Sequence, residues 1–228
     1  MRKIVIIPAY NEQDNILNLI RNLRKYCPDY DYIIINDCST DNTKEICKIN
    51  NLKHINLSVN LGFSGAVQTG YKYAYENMYD LAIQIDGDGQ HMPEYINTLE
   101  HEIKSGSDIV VGSRYLENKK PWHLRMIGSR LIVLCIFIAT GKILSDPTSG
   151  MRAVGRKVMK EFSTNLDFIA EPDTNAYLLK NGFLFKEVQV EMLDRVHGVS
   201  HFRHPLNSIV YMLKIISSIL FVQSLRGK

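Results

Sequence analysis

The chain has 228 residues, 45% of them hydrophobic, which is enough for one domain with a complete core and excludes a disordered protein. Its 27 basic and 24 acidic residues leave a net charge of only +3, so the composition gives no reason to expect a nucleic-acid-binding protein. The four cysteines show neither CxxC pairs nor zinc-ligand spacing and are expected to be reduced thiols. With no signal peptide and no run of about 18 apolar residues, the chain is expected to face the cytoplasm.

The first part of the chain alternates short apolar runs with helical patterns. Four such runs are present, at residues 4–7, 32–35, 53–57 and 81–85. Amphipathic segments separate them, and this alternation predicts a largely parallel sheet with helices on both faces. Ligands of such sheets collect at the carboxyl ends of the strands. The residues that fall at these ends are Pro8, Asp37, Gly62 and Asp86.

The second part begins with a strand at 108–111, after which we expect the sheet to give way to helix. A helix is predicted over 124–144, and its nine-residue apolar stretch suits either a core or a membrane-facing position. A further helix near 171–180 and a strand over 184–190 follow.

Residues 206–225 are predicted to form an amphipathic C-terminal helix. Its apolar stripe consists of Leu206, Ile209, Val210, Leu213, Ile216 and Leu220. Lys214 near the midpoint makes a lone membrane span unfavourable by about 2.5–3.5 kcal/mol, so an interfacial or partner-bound helix is favoured. We therefore divide the chain into a catalytic domain at 1–200 and a membrane- or partner-associated helix at 201–228.

An acidic loop, Asp86-Gly87-Asp88-Gly89-Gln90-His91, follows the fourth apolar run. Two carboxylates on an exposed strand end repel each other unless a cation or water lies between them, and hard oxygen ligands suit Mg²⁺ or Mn²⁺. Because Mg²⁺ keeps several waters and takes only one or two carboxylates plus substrate phosphates, so small a ligand set is sufficient. Taken by itself, the loop is also explained as a simple turn rich in Asp and Gly.

Six motifs in chain order converge on a nucleotide-sugar site. They are Pro8 to Glu12, Asn36 to Asp41, the glycine-rich segment Asn60 to Gly70, the acidic loop, Gly112-Ser113-Arg114 and Asp146 to Arg152. In this order the motifs resemble the family 2 glycosyltransferases of the GT-A fold over residues 3–200. The resemblance implies an α/β chain with a mostly parallel nucleotide-binding sheet and an inverting, metal-dependent sugar transfer.

The resemblance also implies roles for individual residues. The predicted nucleotide-sugar site consists of Pro8, Tyr10, Glu12, Asp37, Gly65 and Asp86. Asp88 is implied as the principal metal ligand, with Asp86 and Gln90 as further ligands and His91 behind them. Two alternatives stay open: Glu12 compensates a helix dipole, and Gly65 serves only a tight turn.

The distal motifs look most like those of dolichol- and polyprenyl-phosphate sugar transferases, and more narrowly like compact bacterial undecaprenyl-phosphate N-acetylglucosaminyltransferases. A phosphate monoester has a second pKa of about 6, so it is already an anionic nucleophile at neutral pH and needs arginines for positioning more than a base. The predicted acceptor-phosphate residues are Arg114, Arg125, Arg152 and Arg195. The predicted catalytic group consists of Asp88, Arg114, Arg125 and Asp146.

The resemblance further implies the partners of the chain. UDP-N-acetylglucosamine is the first choice of donor, polyprenyl (undecaprenyl) phosphate is the acceptor, and the product serves cell-wall or surface polysaccharide. The compact relatives work at the membrane surface with a small membrane-protein partner, and a homo-oligomer stays open. Two other functions remain: a transferase that extends a saccharide hydroxyl, with Glu171, Asp173 or Asp146 as base, and a non-catalytic nucleotide-binding scaffold.

Overall fold

A mixed sheet runs through the centre of the protein, and the computed structural model describes residues 1–122, 124–164, 171–194 and 205–222. The strands are β1 (Lys3–Ala9), β2 (Asp31–Asn36), β3 (His54–Asn56), β4 (Leu81–Gln84), β5 (Ile109–Ser113), β6 (Arg152–Gly155) and β7 (Phe185–Gln189). The α-helices of the described residues are α1 (Ile16–Tyr26), α2 (Thr43–Ile49), α3 (Gly62–Glu76), α4 (Ile96–Lys104), α5 (Leu124–Thr140), α6 (Arg156–Thr164), α7 (Pro172–Lys180) and α8 (Pro205–Ser217). A short 3₁₀ turn precedes α4, and a π-helical turn, Ser218–Val222, follows α8.

The strand order is β3-β2-β1-β4-β6-β5-β7, and β1 to β4 are parallel to one another. The predicted α/β class, with a mostly parallel sheet, is thus confirmed. Successive side chains of a strand point to opposite faces. Accordingly, Val5 and Ile7 belong to the core on one side of the sheet, and Ile4 and Ile6 to the core on the other. Helix α3 packs tightly on the second side, since a Cβ on Gly70 would lie 2.2 Å from Cγ2 of Ile6.

The strand predicted over 184–190 is present as β7. Strand β6 was not predicted, because the pattern indicated helix and loop after the strand at 108–111. It lies between β4 and β5 and pairs antiparallel with both. The strand has only four residues and begins with a charged one, Arg152, so it lacks the apolar run that marks the other central strands. Its place in the sheet depends on these pairings with two strands that are distant in the chain.

Helix α5 ends at Thr140, before the predicted end at residue 144. Gly141 has a φ of +68° and donates its amide to the carbonyl of Phe137 at 2.8 Å. A glycine in this left-handed conformation commonly ends a helix. Among the described residues, no helix is long and apolar enough to cross a membrane.

The C-terminal helix is present, although its packing differs from the predicted stripe. Ile215 and Ile219 are buried in a third core shared with α5 and α7, whereas Val210 and Leu213 are exposed. Ile216 and Leu220 of the predicted stripe pack partly against this core, so the neighbouring helices bury only part of the stripe. The boundary at residue 200 stays a prediction, since 195–204 lie outside the described residues.

Candidate active site

The strand ends that carry the sequence motifs meet at one edge of the sheet. The Gly87 amide donates to the Pro8 carbonyl (3.1 Å), and the Asp37 amide donates to the Ala9 carbonyl (2.9 Å). The Leu61 amide donates to Oδ1 of Asp37 at 2.7 Å. These hydrogen bonds join the segments that follow β1, β2, β3 and β4 around one site.

Four residues predicted to hold the nucleoside lie at the ends of β1 and β2. Of these, Asp37 and Glu12 are buried and Tyr10 is exposed. Asn11 joins the two loops: it has a φ of +56°, and its Oδ1 accepts the amide of Thr40 at 2.8 Å. Sequence reasoning missed this role, although the tolerance of asparagine for positive φ was a signal. Contacts with a nucleoside stay predictions.

Glu12 and Asp41 lie beside helix starts. Oε2 of Glu12 accepts Nδ2 of Asn15 at 2.7 Å, immediately before α1. Oδ1 of Asp41 accepts the amide of Thr43, the first residue of α2, at 2.9 Å. Because this contact satisfies one of the free amides of a helix start, it favours a structural role for Asp41. For Glu12, the structural and the binding role both remain open.

Gly65 lies in the first turn of α3. A Cβ at this position would lie 2.5 Å from Cβ of Leu61, so the turn itself requires a small residue here. Gly62 begins the helix with a φ of +75°, and its amide donates to Oδ1 of Asn60 at 3.0 Å. These contacts support the tight-turn explanation of Gly65, and its donor contact stays a prediction.

The acidic loop separates its two carboxylates. Asp86 is partly exposed, whereas Asp88 is only 6% exposed, and its Oδ1 accepts the Gln90 amide at 3.0 Å. The expectation that both carboxylates sit on an exposed lip was therefore wrong for Asp88, because the turn folds that side chain onto its own loop. Asp88 lines a cavity of about 410 Å³ together with Asn15, which precedes α1, and Asn18 of α1.

The acidic loop is held in place by its last residue, His91, and by the segment around Leu193. Nδ1 of the buried His91 accepts the Asp86 amide at 2.9 Å, so that nitrogen carries no proton in this arrangement. Nε2 of Gln90 donates to the Leu193 carbonyl at 3.0 Å, and the Leu193 amide donates back to the Gln90 carbonyl at 2.9 Å. His91 also pairs with Met192 in an antiparallel bridge. The loop is therefore fixed on both sides.

The oxygen ligands that the loop offers fit a divalent cation that also binds the oxygens of a diphosphate. Asp86, Asp88 and Gln90 offer hard oxygen ligands. Gly150 keeps space beside Asp86, since a Cβ there would lie 2.9 and 3.0 Å from the two carboxylate oxygens. Within the described ranges, no group of three or more His, Cys, Asp or Glu residues forms a metal cage by itself.

Arg114, at the end of β5, forms a bidentate ion pair with the fully buried Asp146. Nε lies 2.6 Å from Oδ2, and Nη2 lies 2.9 Å from Oδ1. Burial lowers the pKa of Arg114, but hydrogen bonding to Asp146 and its charge outweigh this effect and raise the pKa. Glu187 of β7 in turn accepts the amides of Ser145 and Asp146 at 2.7 and 2.9 Å. Arg114 is therefore a permanently charged group in a fixed position.

Arg152 is buried beneath the loop that precedes β6. Its guanidinium donates to the carbonyls of Ser149 (3.0 Å) and Pro147 (3.4 Å) and to Oδ1 of Asn175 (3.5 Å). Burial lowers the pKa of Arg152, and nearby groups that include the Asp86 carboxylate oppose this effect. These contacts show Arg152 holding the loop from within, and its contact with an acceptor phosphate stays a prediction.

Glu171, immediately before α7, connects three helices. Its Oε1 accepts the hydroxyl of Ser64 in α3 at 2.6 Å, and its Oε2 accepts the hydroxyl of Tyr211 in α8 at 2.7 Å. Asp173 accepts the hydroxyl of Ser218 at 2.6 Å. The sequence did not predict these contacts or those of Glu187. The partners lie far apart in the chain, and no local pattern indicates which residues will meet.

Two other predicted acceptor residues cannot be placed in this site. The side chain of Arg125 and the whole of Arg195 lie outside the described residues. Arg114 and Arg152 are thus the predicted acceptor arginines whose contacts are described.

The sheet and the edge that gathers these carboxylates and Arg114 define a glycosyltransferase of the GT-A fold. The chain belongs to glycosyl transferase family 2, whose family model matches residues 4–162. The fold agrees with that of glucosyl-3-phosphoglycerate synthase from Mycobacterium tuberculosis, with a TM-score of 0.70 at 18% identity over 98% of this chain and 78% of that one. That crystal structure contains Mn²⁺, uridine diphosphate and phosphoglyceric acid.

Several curated relatives are named as transferases of sugars to lipid phosphates. The UDP-N-acetylglucosamine–dolichyl-phosphate N-acetylglucosaminyltransferase of Methanococcus voltae is 35% identical over 71% of this chain and 72% of its own length. The undecaprenyl-phosphate mannosyltransferase of Micrococcus luteus is 30% identical over 88% and 87% of the two chains. The polyprenol monophosphomannose synthase of Mycolicibacterium smegmatis is 25% identical over 87% and 80%. The predicted family is therefore confirmed, and the chain is a glycosyltransferase.

Proposed function

We propose that the chain transfers a sugar from a nucleotide diphosphate donor to polyprenyl phosphate, with inversion at the anomeric carbon. The observation that carries this proposal is Arg114, a cation fixed by the buried Asp146 at the same edge of the sheet as the acidic loop. A fixed guanidinium matches the oxygens of an acceptor phosphate. The relatives named above, which act on polyprenyl and dolichyl phosphates, support this acceptor.

In the proposed reaction, a phosphate oxygen of the acceptor attacks the anomeric carbon of the donor sugar. The new bond is a C–O bond to the acceptor phosphate, and the bond to the donor diphosphate breaks, so the nucleoside diphosphate leaves with the electron pair. Arg114 orients the acceptor phosphate and balances its charge. The dianionic acceptor carries no proton on the attacking oxygen, so no base is required.

Asp86, Asp88 and Gln90 would hold a divalent cation, Mg²⁺ or Mn²⁺, in the proposed enzyme. Such a cation, when bound, stabilises the negative charge that develops on the leaving diphosphate. The turn that places the Gln90 amide on Asp88 and the contact of His91 with the Asp86 amide keep these ligands in position.

A saccharide hydroxyl acceptor is the main alternative, and it would need a carboxylate as general base. Each candidate acid is already engaged within the protein: Asp146 by Arg114, Glu171 by Ser64 and Tyr211, and Asp173 by Ser218. A general base must lie within hydrogen-bond reach of the proton that it takes, and these carboxylate oxygens already contact groups of the protein. This arrangement favours an acceptor that needs no base. No contact among the described residues specifically favours the second alternative, a non-catalytic nucleotide-binding scaffold.

The proposed donor is UDP-N-acetylglucosamine. The Methanococcus voltae relative, which is 35% identical, carries this donor in its name, whereas the other two relatives are named for mannose. We further propose that the chain acts as a peripheral protein at the cytoplasmic membrane face, where the lipid acceptor is located. A small membrane-protein partner and a homo-oligomer stay predictions.

The test is transfer from radiolabelled UDP-N-acetylglucosamine to undecaprenyl phosphate by the purified protein. A labelled lipid product that releases its sugar in mild acid supports the proposal, because the sugar is then linked through phosphate. Label in a soluble saccharide at a rate insensitive to the lipid supports the hydroxyl acceptor. Donor binding without turnover on either acceptor supports the scaffold.

The variant Arg114→Lys examines the acceptor role directly. Lysine keeps the charge but loses the bidentate pair, so we expect kcat/KM for the lipid acceptor to fall about 10–100-fold. Donor binding should change little. Arg21→Lys is the control, since Arg21 is exposed on α1. Equal kcat/KM values for the two variants would contradict the role of Arg114.

A further inference from the structure

Helix α5 exposes a continuous apolar stripe. Its exposed large residues recur at intervals of three and four and are Ile127, Leu131, Leu134, Phe137 and Ile138. The opposite side of the helix, with Ile132 and Ile136, is buried in the third core. A helix that is apolar on both sides buries one side in its own protein and presents the other to a partner or a lipid phase.

Helix α8 presents further exposed apolar residues next to α5. Val210 and Leu213 of α8 and Phe221 of the following π-helical turn are exposed, while Ile215 and Ile219 enter the core shared with α5. The two helices approach closely, since a Cβ on Gly128 of α5 would lie 1.6 Å from Sδ of Met212. We call the exposed residues of α5, together with Val210, Leu213 and Phe221, the apolar face.

The two chain segments that contain α5 and α8 carry charges of one sign. Residues 118–145 contain five basic and no acidic residues, and residues 195–228 likewise contain five and none. The remainder of the chain has seventeen basic and twenty-four acidic residues, so it is net acidic. The small net charge of the whole protein is therefore the sum of two basic segments and an acidic remainder. Lys142 and Lys214, on the segments of α5 and α8, are exposed.

An aromatic residue lies at the approach to α5. Trp122 is 85% exposed, and the guanidinium of Arg130 lies 4.2 Å from the centre of its ring. Tryptophan and basic side chains are frequent at the level of lipid headgroups, where an apolar ring meets water and anionic groups. Trp122 and Arg130 are therefore of the residue types expected at the edge of a surface that binds a membrane.

The apolar face is close in the chain to the acceptor arginine. Arg114 precedes the first residue of α5 by ten positions, and Asp146 follows Thr140 by six. Because Arg114 and Asp146 are ion-paired, the two ends of the segment that contains α5 return to the site. A membrane that contacts α5 would therefore contact the segment that begins and ends at the proposed acceptor site.

We propose that the apolar face docks on an anionic lipid bilayer and inserts the exposed side of α5 at the level of the headgroups. The excess of basic over acidic residues in the segments of α5 and α8 favours this occupant over a second copy of the chain, since two identical basic surfaces repel each other. The inference deepens the proposed function and rests on it for the location of the acceptor. Binding to lipid is measured without turnover, so the two proposals fail separately.

The test compares binding of the full chain to vesicles of phosphatidylcholine and to vesicles that also contain phosphatidylglycerol. We expect at least about tenfold stronger binding to the anionic vesicles at low salt, with a decline as the salt concentration rises. In the double variant Leu134→Gln with Ile138→Gln, binding to anionic vesicles should fall at least about tenfold, because several buried methylene groups are lost. Thermal unfolding of the variants verifies that they are folded.

The matched control is the double variant Ile49→Gln with Leu184→Gln. These residues are 79% and 62% exposed, similar to the 66% of Ile138 and 51% of Leu134, but they lie outside α5 and α8. The control should bind vesicles like the unaltered protein. Equal binding to both vesicle types, equal loss in both double variants, or a dimer in solution that the α5 substitutions dissociate would each overturn the proposal.

Activity on a short-chain, water-soluble polyprenyl phosphate separates the two proposals. Transfer to this acceptor without binding to anionic vesicles would refute the docking face and leave the proposed function standing. Binding to vesicles without transfer to any lipid phosphate would refute the proposed function and leave the docking face standing.

Discussion

Asp88 shows how one side chain combines a structural and a proposed functional role. Its Oδ1 accepts the Gln90 amide and so shapes the acidic loop, while the side chain lines the cavity beside α1. The residue is nearly buried, unlike Asp86 in the same loop. A substitution that removes the charge but keeps the hydrogen-bond acceptor separates these two roles.

Asp88→Asn is this substitution, and we expect it to lower the rate of sugar transfer about 10²–10³-fold. The carbonyl oxygen of asparagine preserves the turn, but a neutral ligand no longer supports a cation at the leaving diphosphate. The measurement is the transfer rate as a function of Mg²⁺ and Mn²⁺ concentration. Asp14→Asn, on the same cavity but outside the loop, is the control and should keep the full rate. An Asp88→Asn protein with an unchanged rate would contradict the metal-assisted mechanism.

At the scale of elements, α8 and its π-helical turn are attached by polar contacts as well as by the third core. Tyr211 and Ser218 donate to the acids at the start of α7, and Glu171 also accepts Ser64 in the first turn of α3. The segment that carries part of the apolar face is therefore connected through a short path to the edge of the sheet. This connection depends on a few hydroxyl groups.

Ser218 and Ser217 provide a matched pair for measuring this attachment. The hydroxyl of Ser218 donates to Asp173 of α7, whereas that of Ser217 donates to the Leu213 carbonyl within α8. We expect Ser218→Ala to lower the free energy of unfolding by about 1–2 kcal/mol, since a hydrogen bond to a charged group is lost. Ser217→Ala should change it by less than about 0.5 kcal/mol. Urea unfolding measures both, and equal effects would show that Asp173 does not hold α8.

At the scale of the whole molecule, Glu100 of α4 connects segments that are far apart in the chain. Its carboxylate interacts with Lys3 (3.3 Å) at the start of β1, with Lys104 (2.7 Å), and with the hydroxyl of Tyr30 (2.7 Å). Burial raises the pKa of Glu100, but the hydrogen bonds from Lys104, Tyr30 and Lys3 outweigh burial and lower it below its ordinary value of 4.5. The ionised form is therefore favoured in the folded state.

Glu100 should consequently stabilise the protein in a pH-dependent way. A carboxyl group with a lowered pKa in the folded state contributes stability above its unfolded pKa, and this contribution is lost as the pH falls through the folded pKa. We expect Glu100→Gln to reduce the unfolding free energy by about 1–3 kcal/mol at neutral pH and by less in acid. Glu76→Gln, at an exposed ion pair with Lys72, is the control and should have little effect. Unfolding curves over a pH series test this, and a pH-independent difference would contradict it.

Much of the site could be predicted from the sequence because its elements are locally encoded. Pro8, Asp37 and Asp86 follow apolar runs, and the carboxyl ends of parallel strands lie at the same edge of a sheet. The partners of these residues could not be predicted, since they depend on packing. Arg114 was predicted as an acceptor contact, but no pattern in the chain indicated that Asp146 would hold it in a buried ion pair.

The sequence by itself determined the fold class, the edge of the sheet that carries the site and the family, because strand and helix periodicity and the order of motifs are properties of short segments. Only the tertiary structure decided the antiparallel insertion of β6, the inward turn of Asp88 and the contacts of Glu171 with Ser64 and Tyr211. It also decided which side of α5 is left exposed. Each of these features depends on which segments, distant in the chain, pack against one another. No local pattern of residues specifies this packing.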